Sequence, residues 1–444
     1  MGDDRWPAYF NRDYETIASS RLEEIELEKF KKQLRYVYEQ GPFYRQKFDA
    51  AGFRTGMLQR LSDITNVPLT GKDELRISQN EVPPYGDYLC APVEKLNRIH
   101  ATSGTSGQPL FVPLTRNDIA MQNEVGARSI WAMGGRPGDI CLECASYTLF
   151  VGGVSDHMCA ETAGVAVIPI GFGNTKLLLE IQQKSRATTI GTIPSYMDHL
   201  AEVVRRDLQI EPAELGLRKG VFGGEPGNLE RIAVEWKMDA RDYYGLSEVA
   251  CGFGGDCDYK EGIHFLGQGH ILAELIDPDT LLPVEIETGA WGELVFTNLD
   301  REACPVIRYR TRDTVEILGR TCKCGRTGFR FKFKGRSDDM LLVRGVNVFP
   351  AAVREVLMTF HPRLTGNFKV VLEQPGVQFS RPLPLKIEYG EAVKPEQVGA
   401  LQKEVHDLIH DRLRFTPGIN MVPPGTIGTM TGMTGKIDFF ERLY

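Results

Sequence analysis

His100-Ala-Thr-Ser-Gly-Thr-Ser-Gly-Gln-Pro109 gathers hydroxyls and glycines into the short span Thr102 to Gly107, and Leu110-Phe111-Val112-Pro113 follows as an apolar, strand-like run. Glycine lets the backbone turn until successive N–H groups converge, and such a nest binds phosphate oxygens. Serine and threonine hydroxyls add donors without adding charge, which suits the tail of a nucleotide triphosphate. The span lacks the Gly-Lys-Ser/Thr ending of a Walker A loop, so that class of nucleotide site is excluded. Read alone, the cluster also fits an ordinary surface turn. The sequence on either side separates the two readings.

Downstream, helix-like and strand-like pieces alternate. Asn117 to Met133 reads as a helix, Asp139 to Phe150 as a strand and Gly164 to Ile170 as a short buried strand. Thr175 to Ser185 is a helix, Thr188 to Ile193 a strand and Ser195 to Asp207 a helix, and Lys219 to Gly223 and Ala240 to Tyr244 repeat the strand theme. Such alternation predicts an α/β body with a largely parallel sheet. After His270 the runs Ile271 to Ile276, Gly292 to Thr297 and Val306 to Tyr309 predict a β-rich subdomain. Beyond Gly335-Arg-Ser-Asp-Asp339, helices over 350–360 and 397–415 and strands over 367–373 and 385–389 predict a compact α+β unit. The expected division is therefore a large domain over 1–335 and a small one over 336–444. Upstream, Leu22 to Glu39 reads as an amphipathic helix, with Tyr9, Phe10, Phe43, Tyr44 and Phe48 as its docking rings.

A chain of 444 residues, 42% hydrophobic and 25% charged, has ordinary globular composition and length enough for more than one domain. Its net charge of −7 argues against a nucleic-acid or anionic-membrane partner. The opening Met1-Gly-Asp-Asp-Arg-Trp-Pro has no apolar core like that of a secretory signal, and no apolar run approaches the roughly 18 residues of a membrane span. A cytoplasmic location is expected. Nine cysteines, an odd number in a long chain, suit thiols and a metal better than a disulfide framework.

Further segments end predicted strands or stand at the domain boundary: Phe222-Gly-Gly-Glu-Pro226, Tyr243-Tyr-Gly-Leu-Ser-Glu248, Ile307-Arg-Tyr-Arg-Thr-Arg-Asp313 and Gly335-Arg-Ser-Asp-Asp-Met-Leu341. Thr434-Gly-Lys436 lies near the C-terminus. In an open parallel sheet, ligands collect beyond the carboxyl ends of the strands. Asp313 could bond ribose hydroxyls, Glu248 could ligate magnesium and Tyr244 could face a base. Structural readings stand beside these, with Glu225 as a helix cap and Tyr244 as core.

Taken in this order, the segments resemble the adenylate-forming enzymes, and within them the phenylacetate–coenzyme A ligase group. The resemblance runs from about Leu22 to the C-terminus, and Arg301-Glu-Ala-Cys-Pro-Val-Ile-Arg-Tyr-Arg310 and Arg344-Gly-Val-Asn-Val-Phe-Pro350 belong to it. It implies ATP-dependent activation of an aromatic (aryl or arylacetic) carboxylic acid to an acyl-adenylate, followed by thioester formation with coenzyme A. It assigns the phosphates to Thr102, Ser103, Gly104, Thr105, Ser106 and Gly107, and magnesium to Glu248. Gly224, Glu225, Pro226, Tyr243, Tyr244, Gly245 and Ser247 are expected around the nucleotide. Asp313 would hold the ribose, Arg336 would support it, Asp338 would be the hinge, and Lys436 would reach the α-phosphate. Gln108, where the family often has Lys, removes one phosphate contact at most. Gly227, where the group often has an aromatic residue, reshapes the acyl pocket and leaves phenylacetate itself open.

Cys257, His264 and Cys322-Lys-Cys324 supply thiolates and an imidazole suited to a structural zinc ion, and some members of the group have a matching set. Cys251 is a substitute ligand, and a metal-free cluster is the alternative. Cys141-Leu-Glu-Cys144 reads as core, with its thiols on opposite faces of a strand. For the acyl pocket the candidates are Tyr147, Phe150, Phe222, Gly223 and Tyr243, rings that would suit a planar acid or simply fill the core. Two other readings stay open: an adenylating enzyme that passes its acyl group to a carrier-protein thiol, amine or other nucleophile, and a nucleotide-binding regulator without turnover. The oligomeric state is open as well, with a homodimer as one option.

Overall fold

The computed structural model describes residues 5–102, 109–225, 227–344, 346–374, 376–428 and 438–444. The chain divides into two units. Met1–Gly224, Leu229–Thr311 and Glu316–Lys332 form the larger, and Glu225–Asn228, Arg312–Val315 and Phe333–Tyr444 the smaller.

In the larger unit the strands Ala166–Pro169, Ile140–Glu143, Thr189–Thr192, Lys219–Phe222 and Asp239–Leu246 lie side by side in that order, all parallel. From Asp239–Leu246 onward the sheet turns antiparallel through Ala250–Asp256 and Ile263–Phe265. Ile271–Ile276 and Trp291–Asn298, the expected β-rich region, continue this same sheet. Successive residues of a strand face opposite sides, and each side here has its own core. Leu142, Cys144, Ile190 and Phe222 pack against the helices Thr175–Ser185 and Pro194–Val203. On the other side, Cys141, Val221 and Tyr243 pack with residues of the helices Arg116–Ala132 and Val151–Thr162. Cys141 and Cys144 thus fall in different cores, as their spacing requires.

Helix Arg116–Ala132 begins at a capping box: Asp118 N donates to Thr115 Oγ1 at 3.2 Å, and Thr115 N to Asp118 Oδ2 at 2.8 Å. The amphipathic helix runs over Ser19–Gln40, and Tyr44 and Phe48 beside it are fully buried. Two strand boundaries differ from expectation. The run predicted over 139–150 is a strand only over Ile140–Glu143, and Val151 opens a helix. The strand expected at 306–309 begins only at Tyr309 and extends to Gly319. Among the described residues no helix is long and apolar enough to cross a membrane.

The smaller unit holds a four-stranded sheet in the order Pro417–Val422, Leu383–Tyr389, Leu364–Leu372, Phe440–Arg442. Buried and half-buried residues alternate strictly along Leu364–Leu372. The buried set packs with Val353, Val356 and Leu357 of helix Pro350–Met358 and with Leu401, Val405 and Ile409 of helix Val398–Leu413.

Candidate active site

Strand Asp239–Leu246 folds back on Ala250–Asp256 through a tight turn that carries Ser247 and Glu248. The register slips between Tyr244 and Leu246, where Gly245 stands. A Cβ on Gly245 would fall 1.3 Å from the Cys251 carbonyl oxygen, so only glycine permits this approach. The far side of the turn is braced by Arg301, whose Nη1 donates to the carbonyls of Glu248 (2.7 Å) and Val249 (3.0 Å).

Glu248 is buried, and its Oε1 lies 2.7 Å from Lys72 Nζ and accepts a hydrogen bond from Tyr309 Oη at 3.1 Å. Burial raises this carboxyl, but the charge and hydrogen bond of Lys72, together with a backbone N–H and the Tyr309 hydroxyl, outweigh it and hold the group below the usual carboxylate range. Lys72 is the first residue of helix Lys72–Glu81. It reaches Glu248 because Thr70 N donates to Arg308 O and Arg310 N donates to Thr70 O, both at 2.9 Å, tying that segment beside Tyr309. Sequence reading missed Lys72, since no local pattern announces a contact between segments so far apart. Lys72→Met leaves a buried carboxylate without its cation, a loss of about 1–3 kcal/mol for a pair with one partly exposed member. A depressed carboxyl stabilises above its unfolded pKa and loses that contribution as pH falls through the folded one. The gap in melting temperature between wild type and Lys72→Met is therefore expected to be widest near neutral pH and to narrow on acidification, as thermal melts across pH will show.

The base of the hydroxyl-rich span is closed by Thr102, whose N donates to Leu110 O at 2.9 Å and whose Oγ1 accepts from Leu110 N at 3.3 Å. Ala101 N donates to Leu149 O at 2.9 Å, setting that base beside Phe150. Ser103, Gly104, Thr105, Ser106 and Gly107 lie outside the described residues, as do Pro226 and Lys436.

Tyr147, Phe150, Gly223 and Tyr243 keep part of their surface open. Tyr147 Oη and His157 Nδ1 are 2.9 Å apart. Gly223 lies against the Tyr243 backbone. Phe222 differs from expectation: it is fully buried among Leu142, Ile190 and Tyr196, because strand alternation turns it to the opposite side from Tyr243. Its ring is core. Tyr244 is buried too, with Phe253 and Phe331 edge-on at 5.4 and 5.3 Å between ring centres.

In the smaller unit Arg336 joins two of the expected residues. Its Nη1 donates to Asp313 Oδ1 at 3.0 Å, while Nε and Nη2 clasp Asp338 at 2.9 and 2.8 Å. Asp313 is buried and Asp338 half exposed. Burial, reinforced by Asp338, pushes the neighbouring Asp339 carboxyl up to about 6. Gly224, with φ +81°, closes the larger unit's first stretch, and Glu225 lies 3.8 Å from Arg354 within the smaller unit.

Cys257, His264, Cys322 and Cys324 converge, with their donor atoms all within 4.8 Å of one another. Cys257 and Cys322 sulfurs are 3.6 Å apart and Cys324 Sγ is 3.5 Å from His264 Nε2. A tetrahedral ion with metal–sulfur bonds of about 2.3 Å needs sulfurs about 3.8 Å apart, so the set fits zinc in number, chemistry and spacing. His264 Nδ1 lies 3.3 Å from the Gly328 carbonyl, which fixes that nitrogen as the protonated one and leaves Nε2 free to ligate. Cys251 is not part of the cluster; its thiol donates to Asp156 Oδ1 at 2.7 Å instead.

Residues 77–298 match the AMP-binding enzyme family, and residues 345–438 match the AMP-binding enzyme C-terminal domain. The chain is 34% identical to the phenylacetate–coenzyme A ligase of Thermus thermophilus, over 94% of this chain and 96% of that protein. This protein belongs to the AMP-binding enzyme family. The AMP-binding enzyme is also 40% identical to the phenylacetate–coenzyme A ligase of Pseudomonas putida, over 78% of this chain and 77% of that one. A crystal structure of 2-hydroxyisobutyryl-CoA ligase in the postadenylation state, in complex with 2-HIB-AMP, superposes with a TM-score of 0.89 at 26% identity. That match covers 100% of this AMP-binding enzyme and 95% of the solved chain.

Proposed function

We propose that this protein is an AMP-forming acid–thiol ligase that activates an aryl or arylacetic acid with ATP and transfers the acyl group to coenzyme A. The observation that carries the reading is the buried Glu248, paired with Lys72 in the turn after the last parallel strand, in a chain similar over its length to phenylacetate–coenzyme A ligases. In the first half-reaction a carboxylate oxygen of the acid attacks the α-phosphorus of ATP, and the bond to pyrophosphate breaks. In the second the thiol sulfur attacks the acyl carbon, and AMP leaves. Positioning and charge neutralisation do most of the work in such chemistry.

The span Thr102–Gly107 cradles the outer phosphates, and Asp313, oriented by the Arg336 fork, accepts from the ribose hydroxyls. Glu248 fits a magnesium ion, since such ions take one or two carboxylates together with substrate phosphates. When bound, the ion neutralises phosphate charge. Asp338 is the hinge of the small domain, and that domain's Lys436 neutralises charge at the α-phosphate. Release of pyrophosphate that requires ATP and an aryl acid, together with an acyl-thioester formed only with coenzyme A, tests the reading. Pyrophosphate release indifferent to coenzyme A moves the acceptor to a carrier thiol or an amine.

Cys257, His264, Cys322 and Cys324 hold a structural zinc ion that ties the turn after Ala250–Asp256 to the segment following strand Tyr309–Gly319. Elemental analysis is expected to find about one zinc per chain. Cys322→Ser should lose it together with several degrees of melting temperature; an unchanged melt in a zinc-free protein contradicts the assignment.

A further inference from the structure

Two carboxyls that the chemistry above does not use stand where the acyl pocket is expected. Glu143 ends strand Ile140–Glu143, and Asp156 lies on helix Val151–Thr162, both on the Tyr243 side of the sheet. Asp156 Oδ1 is saturated: Tyr243 Oη donates to it at 2.8 Å and Cys251 Sγ at 2.7 Å. Its Oδ2 receives no hydrogen bond among the described residues and looks toward small groups. A Cβ built on Gly152 would sit 3.5 Å from that oxygen and 3.6 Å from the Ala145 methyl.

Glu143 is 5% exposed, and its Oε1 accepts from Ala145 N at 2.9 Å. Its Oε2 has no hydrogen-bond partner among the described residues, and a Cβ on Gly191 would lie 2.6 Å from it. Burial raises both carboxyls, Glu143 the further because Asp156 adds its charge. Ala145, Tyr147, Gly152, Asp156 and Tyr243 all keep part of their surface open. Small side chains, aromatic rings and an acceptor oxygen of Asp156 without a donor thus meet in one place, beside the buried Glu143 carboxyl. An aromatic pocket that ends on a carboxyl oxygen rejects a purely apolar ring, which would strip water from that oxygen and give nothing back.

We propose that the acid activated here carries a hydrogen-bond donor, an amino or hydroxyl group, on its ring, and that Asp156 Oδ2 accepts from it with Glu143 alongside. This inference rests on the aryl-acid reading and narrows it. A site built to hydrogen-bond a substrate group discriminates strongly against the analogue that lacks it.

The test compares kcat/KM for pyrophosphate release by the full-length protein with ATP, magnesium and coenzyme A. The acids are phenylacetate and benzoate, each beside its ring-hydroxylated and ring-aminated isomers. The best substituted acid is expected to exceed its parent by at least about tenfold. Asp156→Ala should collapse that ratio toward one. Asp156→Asn, which keeps an acceptor oxygen and the shape, should retain part of it. The wild-type comparison needs no variant, so an Asp156→Ala protein that fails to fold leaves the test intact. Turnover of the parent acid at equal or higher kcat/KM overturns the inference and leaves the ligase standing, as does a ratio unmoved in a folded Asp156→Ala. Silence with every acid overturns the aryl-acid reading and the inference with it.

Discussion

Glu248→Gln is expected to slow pyrophosphate release by about 100- to 1,000-fold, the scale on which single preorganised electrostatic contacts act in a water-poor site. Glutamine keeps the size of the side chain and can still accept from Tyr309 Oη, so the Arg301-braced turn should survive. What it removes is the negative charge. Lys72 then loses its ion pair, and a bound magnesium ion loses the carboxylate proposed to hold it. The defect should appear in kcat at saturating ATP and be partly relieved by raised magnesium. Melting temperature should change little, because removing the buried charge also removes its desolvation cost. Steady-state kinetics across magnesium concentrations checks this. A variant with wild-type kcat would remove Glu248 from the reaction.

Lys436→Ala is expected to separate the two half-reactions. A lysine is a compact charge on a flexible stem, suited to reach a phosphate whose charge shifts as the bond to pyrophosphate breaks. Its loss should slow adenylation by about 100-fold or more, again the scale of one charge at a developing transition state. Thioester formation from added acyl-adenylate and coenzyme A should proceed at close to the wild-type rate, since no pyrophosphate leaves in that step. Equal loss of both halves would place Lys436 in general folding or nucleotide binding. No loss in either would leave it a solvated lysine near the end of the chain.

The alternation of helix-like and strand-like pieces was legible because its periodicity is local: the helix read from Asn117 and the strands read over 188–193, 219–223 and 240–244 stand where the pattern puts them, whatever surrounds them. The Cys257/His264 and Cys322/Cys324 halves were readable by residue type, although only the fold brings them together. Contacts made by long-range packing were not readable. Lys72 looks like any first-turn lysine until the Thr70 segment is laid beside Tyr309. Asp156 looks like a helix-surface acid until Tyr243 and Cys251 are found donating to it. The strand predicted over 139–150 was too long because the apolar Leu149-Phe150 disguised a chain turn. Gly152-Gly153, poor helix formers, stand in the first turn of the helix that opens at Val151 and hid its start. Phe222 was placed in the pocket by its motif, and the two-residue period of the strand puts it in the opposite core.

The two-step reaction at one site is tested most directly by trapping its intermediate. The full-length protein is incubated with ATP, magnesium and an accepted aryl acid, without coenzyme A, quenched, and analysed by mass spectrometry. Acyl-adenylate and pyrophosphate are expected in amounts comparable to the enzyme, both forming about 100-fold more slowly in Lys436→Ala. Adding coenzyme A before the quench should convert the adenylate to acyl-coenzyme A and AMP. Formation of ADP and phosphate in place of AMP and pyrophosphate, or acyl-coenzyme A without any adenylate in its absence, would contradict it.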